Sequence, residues 1–183
     1  MSTILTPANQ LTLLRLLLVP VFVLCMLYDL PGWALITFAA AGVTDLFDGL
    51  VARLSGQSTE LGAWLDPMAD KLLLLSMFIM LTIPTMGQVN RLPVWLTVLV
   101  ISRDVGIVLT VAVVNLAVGP RTFRPTIFGK AATAIYVVTG VVTLYFNYLR
   151  VASPVVTACV YLALAITLVS GFDYVRRSTR TLP

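Results

Sequence analysis

The stretch GVTDLFDGLVARLSGQSTELGAWLDPMAD (residues 42–70) joins two apolar segments through a short polar loop. Asp45 and Asp48 lie three residues apart before the loop, and Asp66 and Asp70 lie four residues apart after it. Residues at these spacings share one face of a helix. Because the loop is short, we expect two antiparallel neighbouring helices whose four carboxylates meet at one end. These four are half of the eight acidic residues in the chain.

The composition around this corner is that of a membrane protein. Of 183 residues, 59% are hydrophobic and 11% charged, against about 25% charged in a soluble domain. A helix needs about 20 mostly apolar residues to cross a bilayer. Six segments fit, at roughly 10–29, 32–53, 62–83, 92–117, 127–147 and 153–174. We predict an all-α polytopic membrane protein, with six transmembrane helices in a single domain over residues 1–183.

The distribution of basic residues predicts the orientation. With six spans both ends lie on one side, together with Arg53, Arg121, Arg124, Lys130, Arg176, Arg177 and Arg180. The opposite loops contain only Arg91 and Arg150. Because positive residues concentrate in cytoplasmic loops, both termini are expected in the cytoplasm. The first segment is typical of a retained helix rather than a signal peptide. The expected location is a bacterial inner (cytoplasmic) membrane.

The available side chains restrict the chemistry of the acidic corner. The chain has no histidine, and its two cysteines, Cys25 and Cys159, lie far apart within apolar runs. Four converging carboxylates repel one another unless a cation lies between them. Arg53 and Lys71 are too few and too peripheral for that role. Oxygen ligands favour Mg²⁺ or Mn²⁺, and two such ions would form a phosphoryl-transfer site. The alternative is a set of helix-end acids that are solvated or paired with arginine.

Small residues accompany the acids. Gly49, Ala52 and Gly62 remove bulk from the acidic face, which lets a flat or phosphorylated group approach the backbone. Arg53 follows on the same face as a cation for a phosphate. The alternative for the small residues is close packing of helices within the membrane.

The pattern Asp45-Leu-Phe-Asp48-Gly49-Leu-Val-Ala52-Arg53, eight residues, then Gly62-x₃-Asp66-x₃-Asp70 resembles the signature of the CDP-alcohol phosphotransferase family at every fixed position. The first helix, with Asn9, Thr12 and Arg15, is also similar to that of many members. The resemblance implies a homodimer with six transmembrane helices per chain. It also implies transfer of a phosphate-linked group from a CDP-activated donor to an alcohol, with release of CMP.

The resemblance assigns roles residue by residue. Asp45, Asp48, Asp66 and Asp70 would hold two divalent metal ions, and Asp70 would also take the proton from the acceptor hydroxyl. Gly49, Ala52, Arg53 and Gly62 would line the pocket for the cytidine and the diphosphate. CDP-diacylglycerol is the favoured donor because its acyl chains can stay in lipid while its headgroup reaches the acids.

The second half of the chain contains the candidate acceptor-binding residues. Arg103 lies within an apolar span beside Asp104, where it would bind a phosphate or would simply pair with Asp104 and a neighbouring helix. Lys130 is a second candidate. Arg121 and Arg124, in the preceding loop, would bind phosphate or anchor the chain at the membrane surface.

The same region is most similar to the eukaryotic-type cardiolipin synthase branch, whose acceptor is phosphatidylglycerol. The alternative is the phosphatidylglycerophosphate synthase branch, whose acceptor is glycerol 3-phosphate. That branch usually has cations where this chain has Val111 and Ala132, and a glutamine where it has Tyr136. A hypothesis of another class is a divalent-cation carrier that uses the same carboxylates. Nucleic acid is not an expected partner.

Overall fold

A computed structural model describes residues 7–55, 60–84, 87–118 and 126–179. Within these ranges, some side chains are not described. They belong to residues 7–9, 46–55, 60–64, 66–67, 111–115, 117–118, 175 and 177–179. The described residues form six α-helices: α1 (Pro7–Leu27), α2 (Pro31–Ser55), α3 (Glu60–Thr82), α4 (Val94–Val118), α5 (Ile127–Tyr148) and α6 (Pro154–Thr179). The prediction of an all-α chain with six helices is confirmed, and the largest boundary difference is the end of α6, at 179 rather than 174.

Prolines and helix-end motifs explain the boundaries. Pro31 and Pro154 open α2 and α6, where the missing N–H of proline leaves no helical hydrogen bond unmade. At the end of α1, the Leu30 N–H donates to the Cys25 carbonyl (2.8 Å) and the Asp29 N–H to the Met26 carbonyl (3.3 Å). This pair of bonds is a Schellman motif, which ends a helix by placing one residue in the left-handed conformation.

Three helices are long and apolar enough to cross a membrane within the described part of the chain, at Gln10–Leu27, Ile127–Tyr148 and Pro154–Tyr174. Large apolar side chains such as Leu17 and Phe172 are exposed on α1 and α6. Exposed apolar surface of this extent is stable in lipid rather than in water. The chain is therefore a multi-pass membrane protein.

The chain divides into two compact units. The first contains the described residues up to Arg91 together with Thr143–Ala152, and in it α1 packs against both α2 and α3. The rings of Phe22 and Phe38, on α1 and α2, lie 5.9 Å apart in its core. The second contains Leu92–Val142 and the residues from Ser153 onward, and in it α4 packs against α6. The single domain over 1–183 stays a prediction.

A buried pair of amides ties the end of α5 to the connection between α3 and α4 in the first unit. The Asn147 side-chain oxygen accepts from the Asn90 N–H (2.7 Å), and the Asn147 Nδ2 donates to the Asn90 carbonyl (3.0 Å). The Asn90 Nδ2 in turn donates to the Val151 carbonyl (2.8 Å). Loop backbone that is buried away from water thus has its hydrogen bonds supplied by side chains.

Asn147→Leu is expected to destabilise the protein, because it keeps the branched outline of the side chain but removes the amide that bonds to the buried N–H and carbonyl of Asn90. Each buried polar group left unsatisfied costs about 1–3 kcal/mol. A drop of several degrees in the melting temperature of the detergent-solubilised protein would show this. Tyr145→Phe on the same helix, which removes a hydroxyl from an exposed side chain, should leave the melting temperature unchanged. Equal melting temperatures for Asn147→Leu and wild type would contradict the role assigned to this pair.

Candidate active site

Arg15 of α1 lies between Asp45 of α2 and Asp70 of α3 in the first unit. Its side chain is fully buried, although it belongs to a helix of mostly apolar residues. Its Nη2 lies 3.0 Å from the Asp45 Oδ1 on α2, and its Nη1 donates to the Asp70 Oδ1 on α3. Because α1 packs against both helices, a single guanidinium joins an acid from each side of the polar loop.

The two carboxylates remain accessible while the arginine does not. The Asp45 and Asp70 side chains are 46% and 48% exposed. The cation is thus on the protein side of the cluster, and the acids turn part of their surface outward. Asp45 and Asp70 can therefore contact a further positively charged group on their exposed side while they stay paired with Arg15.

Sequence reasoning missed the part played by Arg15. It weighed Arg53 and Lys71, which are close to the acids along the chain, whereas Arg15 lies 55 residues from Asp70. A signal was present, because an arginine within an apolar span is costly unless it is paired. That cost predicts an acidic partner on a neighbouring helix.

The remaining predicted donor-site residues belong to the same helices. Asp48, Gly49, Ala52 and Arg53 lie in α2, and Gly62 and Asp66 lie in α3, but their side chains are outside the described ones. Because α2 is continuous from Asp45 to Asp48 and α3 from Asp66 to Asp70, each pair occupies one helix face. The structure therefore brings the Asp45 and Asp70 side chains together. For the other six predicted donor-site residues it gives only the position in the helix.

The described acids suit a hard divalent cation. Asp45 and Asp70 supply carboxylate oxygens, which are the ligands that Mg²⁺ and Mn²⁺ prefer. They already converge on one positive group, the Arg15 guanidinium. Among the side chains that the structure describes, no three potential ligands form a cluster, and two of the four predicted ligands lie outside that set. The carboxylate oxygens of Asp45 and Asp70 thus fit Mg²⁺ or Mn²⁺ as ligands, and the presence of two metal ions stays a prediction.

Arg103 of α4 bonds to α6 and lies close to the start of α5 in the second unit. Its side chain is nearly buried, with Nη1 2.7 Å from the Asp104 Oδ1 and Nη2 2.5 Å from the Ser170 Oγ on α6. A Cβ placed on Gly129, in the first turn of α5, would lie 3.4 Å from the Arg103 Nη2. Arg103 thus makes the contacts that the alternative interpretation described, with Asp104 and a neighbouring helix.

The other acceptor candidates differ in their setting. Lys130 is exposed in the first turn of α5. Arg121 and Arg124 lie outside the described residues. Two positions that distinguish the family branches are buried: Ala132 is fully buried, and the Tyr136 hydroxyl lies 2.7 Å from the Thr167 Oγ1. Because the Thr167 hydroxyl donates to the Ala163 carbonyl, Tyr136 is the donor in that contact.

Comparison with known proteins gives one family and relatives with two different names. The model of the CDP-alcohol phosphatidyltransferase family matches residues 5–169. A probable phosphatidylglycerophosphate synthase of Mycobacterium tuberculosis is 40% identical over 96% of this chain and 82% of its own length. Cardiolipin synthases (CMP-forming) of Rattus norvegicus and Streptomyces coelicolor are 32% and 35% identical, over 97% and 71% of this chain and 64% and 60% of their own.

Proposed function

The chain belongs to the CDP-alcohol phosphatidyltransferase family, and from this premise we propose that it transfers a phosphatidyl group from CDP-diacylglycerol to phosphatidylglycerol, which yields cardiolipin and CMP. The observation that carries the proposal is the convergence of Asp45 and Asp70 on Arg15. It supports one acidic site built by both halves of the motif. Family membership favours a transferase over the divalent-cation carrier.

The donor follows from the surroundings of this site. Apolar side chains are exposed on the helices of the first unit, including Leu17 on α1 and Met68 on α3. A donor with acyl chains can lie against such a surface while its headgroup meets the acids. Gly49, Ala52, Arg53 and Gly62 are the proposed contacts of the cytidine and diphosphate.

We assign Asp45, Asp48, Asp66 and Asp70 as ligands of two Mg²⁺ or Mn²⁺ ions. When bound, these ions would offset the negative charge of the diphosphate and of the departing CMP. Asp70 accepts the proton of the acceptor hydroxyl, whose oxygen forms a bond to the phosphorus that carries diacylglycerol. The bond between that phosphorus and the CMP oxygen breaks, and CMP leaves with its electron pair.

The acceptor is proposed from the second unit. Arg103 and Lys130, together with Arg121 and Arg124, are the proposed phosphate contacts. A dianionic glycerol 3-phosphate would need several cations. Ala132 and Tyr136, where the alternative branch often has lysine and glutamine, are here buried and without positive charge. A phosphatidylglycerol acceptor carries a single negative charge on its phosphodiester, and it therefore suits this smaller set of cations.

The competing candidate is a phosphatidylglycerophosphate synthase with glycerol 3-phosphate as acceptor. One observation favours it, namely the 40% identity to a protein with that printed name. Both candidates share the donor and the acidic site, and they differ only in the alcohol that attacks.

The setting in the cell is also part of the proposal. We place the protein in a bacterial inner membrane with both termini in the cytoplasm, as a homodimer of single-domain chains. The exposed Lys130 and Arg176 support this orientation, because they lie at the ends of α5 and α6 that the positive-inside rule assigns to the cytoplasm.

An acceptor panel tests the function. Purified protein with CDP-diacylglycerol and Mg²⁺ or Mn²⁺ is expected to release CMP when phosphatidylglycerol is added, and to form cardiolipin in equal amount. Glycerol 3-phosphate and buffer alone serve as the other arms. Turnover with glycerol 3-phosphate and none with phosphatidylglycerol would transfer the assignment to the competing candidate. Absence of CMP with every alcohol would refute the transferase.

A further inference from the structure

A cleft of about 420 Å³ lies in the first unit, where α1 ends and α2 begins. Its lining includes Asp29, Leu30, Trp33, Ile36, Tyr148 and Arg150. This volume is within the range of about 300–1,000 Å³ typical of ligand pockets. The cleft is at the opposite end of α2 from Asp45, since the 14 residues from Pro31 to Asp45 span about 21 Å of helix. It is therefore separate from the acidic site.

One end of the cleft is an ion pair. The Arg150 Nη2 lies 2.8 Å from the Asp29 Oδ2, and the Arg150 Nη1 donates to the Gly87 carbonyl (3.1 Å). A Cβ on Gly87, whose φ is 84°, would collide with both charged groups, so this approach requires glycine. The Arg150 side chain is 49% exposed and the Asp29 side chain 33% exposed, so each keeps part of its surface open to the cleft.

The backbone of this ion pair is strained. Asp29 and Arg150 have φ values of 53° and 56°, at the left-handed position of the motifs that end α1 and α5. Glycine is the usual residue there, because in other L-residues the Cβ lies too close to the following carbonyl oxygen. An ion pair that is partly exposed contributes little to stability. Stability alone therefore does not explain two charged residues at these positions, and strain of this kind is common at ligand sites.

The walls of the cleft are aromatic and aliphatic. Trp33 is 63% exposed, and Ile36 and Tyr148 are exposed as well. The ring of Tyr148 lies on the backbone of Gly32, where an added Cβ would be 3.0 Å from the ring carbon Cδ2. Tryptophan and tyrosine are enriched where the bilayer meets water. The cleft thus combines a hydrocarbon-facing wall with a polar end at the level of lipid headgroups.

We propose that this cleft binds a zwitterionic phospholipid, with the phosphate on Arg150, the ammonium on Asp29 and an acyl chain along Trp33 and Ile36. The ion pair has no net charge. An anionic lipid would take Arg150 and leave the Asp29 carboxylate without its cation, whereas a zwitterion supplies a partner of opposite sign to each group.

Tryptophan quenching tests the proposal directly. The chain has three tryptophans, so Trp64→Phe with Trp95→Phe leaves Trp33 as the sole emitter. In vesicles, we expect dibrominated phosphatidylethanolamine to quench Trp33 with a relative binding constant at least about threefold above that of dibrominated phosphatidylglycerol, a difference of roughly 0.7 kcal/mol. A further arm uses dibrominated phosphatidylcholine, which has a quaternary ammonium in place of the primary ammonium of phosphatidylethanolamine. Comparison of the two lipids shows which kind of ammonium the cleft binds.

A second single-tryptophan protein is the control. Trp95 is exposed at the start of α4, in the other unit, and a protein with Trp33→Phe and Trp64→Phe should show no preference among the lipids. In the Trp33 protein, Asp29→Asn combined with Arg150→Gln should abolish the preference while quenching persists. Equal binding of the zwitterionic and anionic lipids at Trp33, stronger binding of phosphatidylglycerol, or a preference that survives the double substitution would each overturn the proposal. The measurement uses no CDP-linked donor, so its outcome is independent of the proposed transferase.

Discussion

Asp70→Asn is expected to lower the rate of CMP release by roughly 10²–10⁴-fold, the usual contribution of a general base. The asparagine keeps the shape of the side chain but cannot take the acceptor proton, and it offers a metal ion one oxygen without charge. The helix should remain intact, because Asp70 is an exposed residue of α3 and its neighbour Ala69 supplies the buried packing. Initial rates with saturating CDP-diacylglycerol measure the loss.

Ser76→Ala on the same helix is the matched control. Its hydroxyl donates to the Leu72 carbonyl within α3, so its removal changes one polar group on the helix without touching the acidic site. We expect wild-type rates and a wild-type melting temperature from this variant, whereas Asp70→Asn should also melt at a lower temperature, because the buried Arg15 loses one of its two carboxylate partners. An Asp70→Asn enzyme with near-normal turnover would remove Asp70 as the base.

Arg15→Met is expected to reduce both activity and stability. Removing one partner of a buried ion pair costs about 3–5 kcal/mol, because the remaining charges lose their compensation. The cost here should fall at the lower end of that range, since Asp45 and Asp70 are about half exposed. The melting temperature should fall by several degrees, and CMP release should fall at least tenfold as the two acids move apart.

Divalent ions separate this electrostatic explanation from a simple packing defect. If the carboxylates of Asp45 and Asp70 lack a cation in Arg15→Met, Mn²⁺ should raise the melting temperature more in the variant than in the wild type. Leu17→Ala, at an exposed position of the same helix, should behave as wild type. A variant that melts lower but responds to Mn²⁺ no more than wild type would assign Arg15 to packing alone.

The six helices were predictable because each contains a long apolar run, and several begin at a strong local signal. Pro31 and Pro154 open helices within one residue of the starts expected from the sequence, at 32 and 153. The last predicted segment ends at 174, five residues before the end of α6, because the apolar run stops before Arg176 and Arg177 while the helix continues through them. Helix ends of this kind depend on capping and packing rather than on hydropathy.

The carboxylates of the acidic site were predictable from the sequence, whereas for its cation the sequence indicates only that Arg15 needs an acidic partner. Asp45 and Asp70 are marked by spacing within helices, which sequence displays directly. Arg15 reaches them only because α1 packs against both α2 and α3, and no local pattern encodes that packing. The same holds for Arg103, whose partner Ser170 is 67 residues away on α6. The cleft beside Trp33 is also invisible in sequence, since it is formed by two helix ends that are 121 residues apart.

Counting bound Mn²⁺ by electron paramagnetic resonance is the most direct test of the acidic site. The purified wild-type protein is expected to bind two ions per chain, as a two-metal phosphoryl-transfer site requires, and Asp45→Asn and Asp70→Asn should each bind fewer. Mg²⁺ should displace the bound Mn²⁺, because both ions prefer oxygen ligands. A wild-type protein that binds no Mn²⁺, or that binds the same amount as both variants, would contradict a metal site built from the carboxylates of α2 and α3.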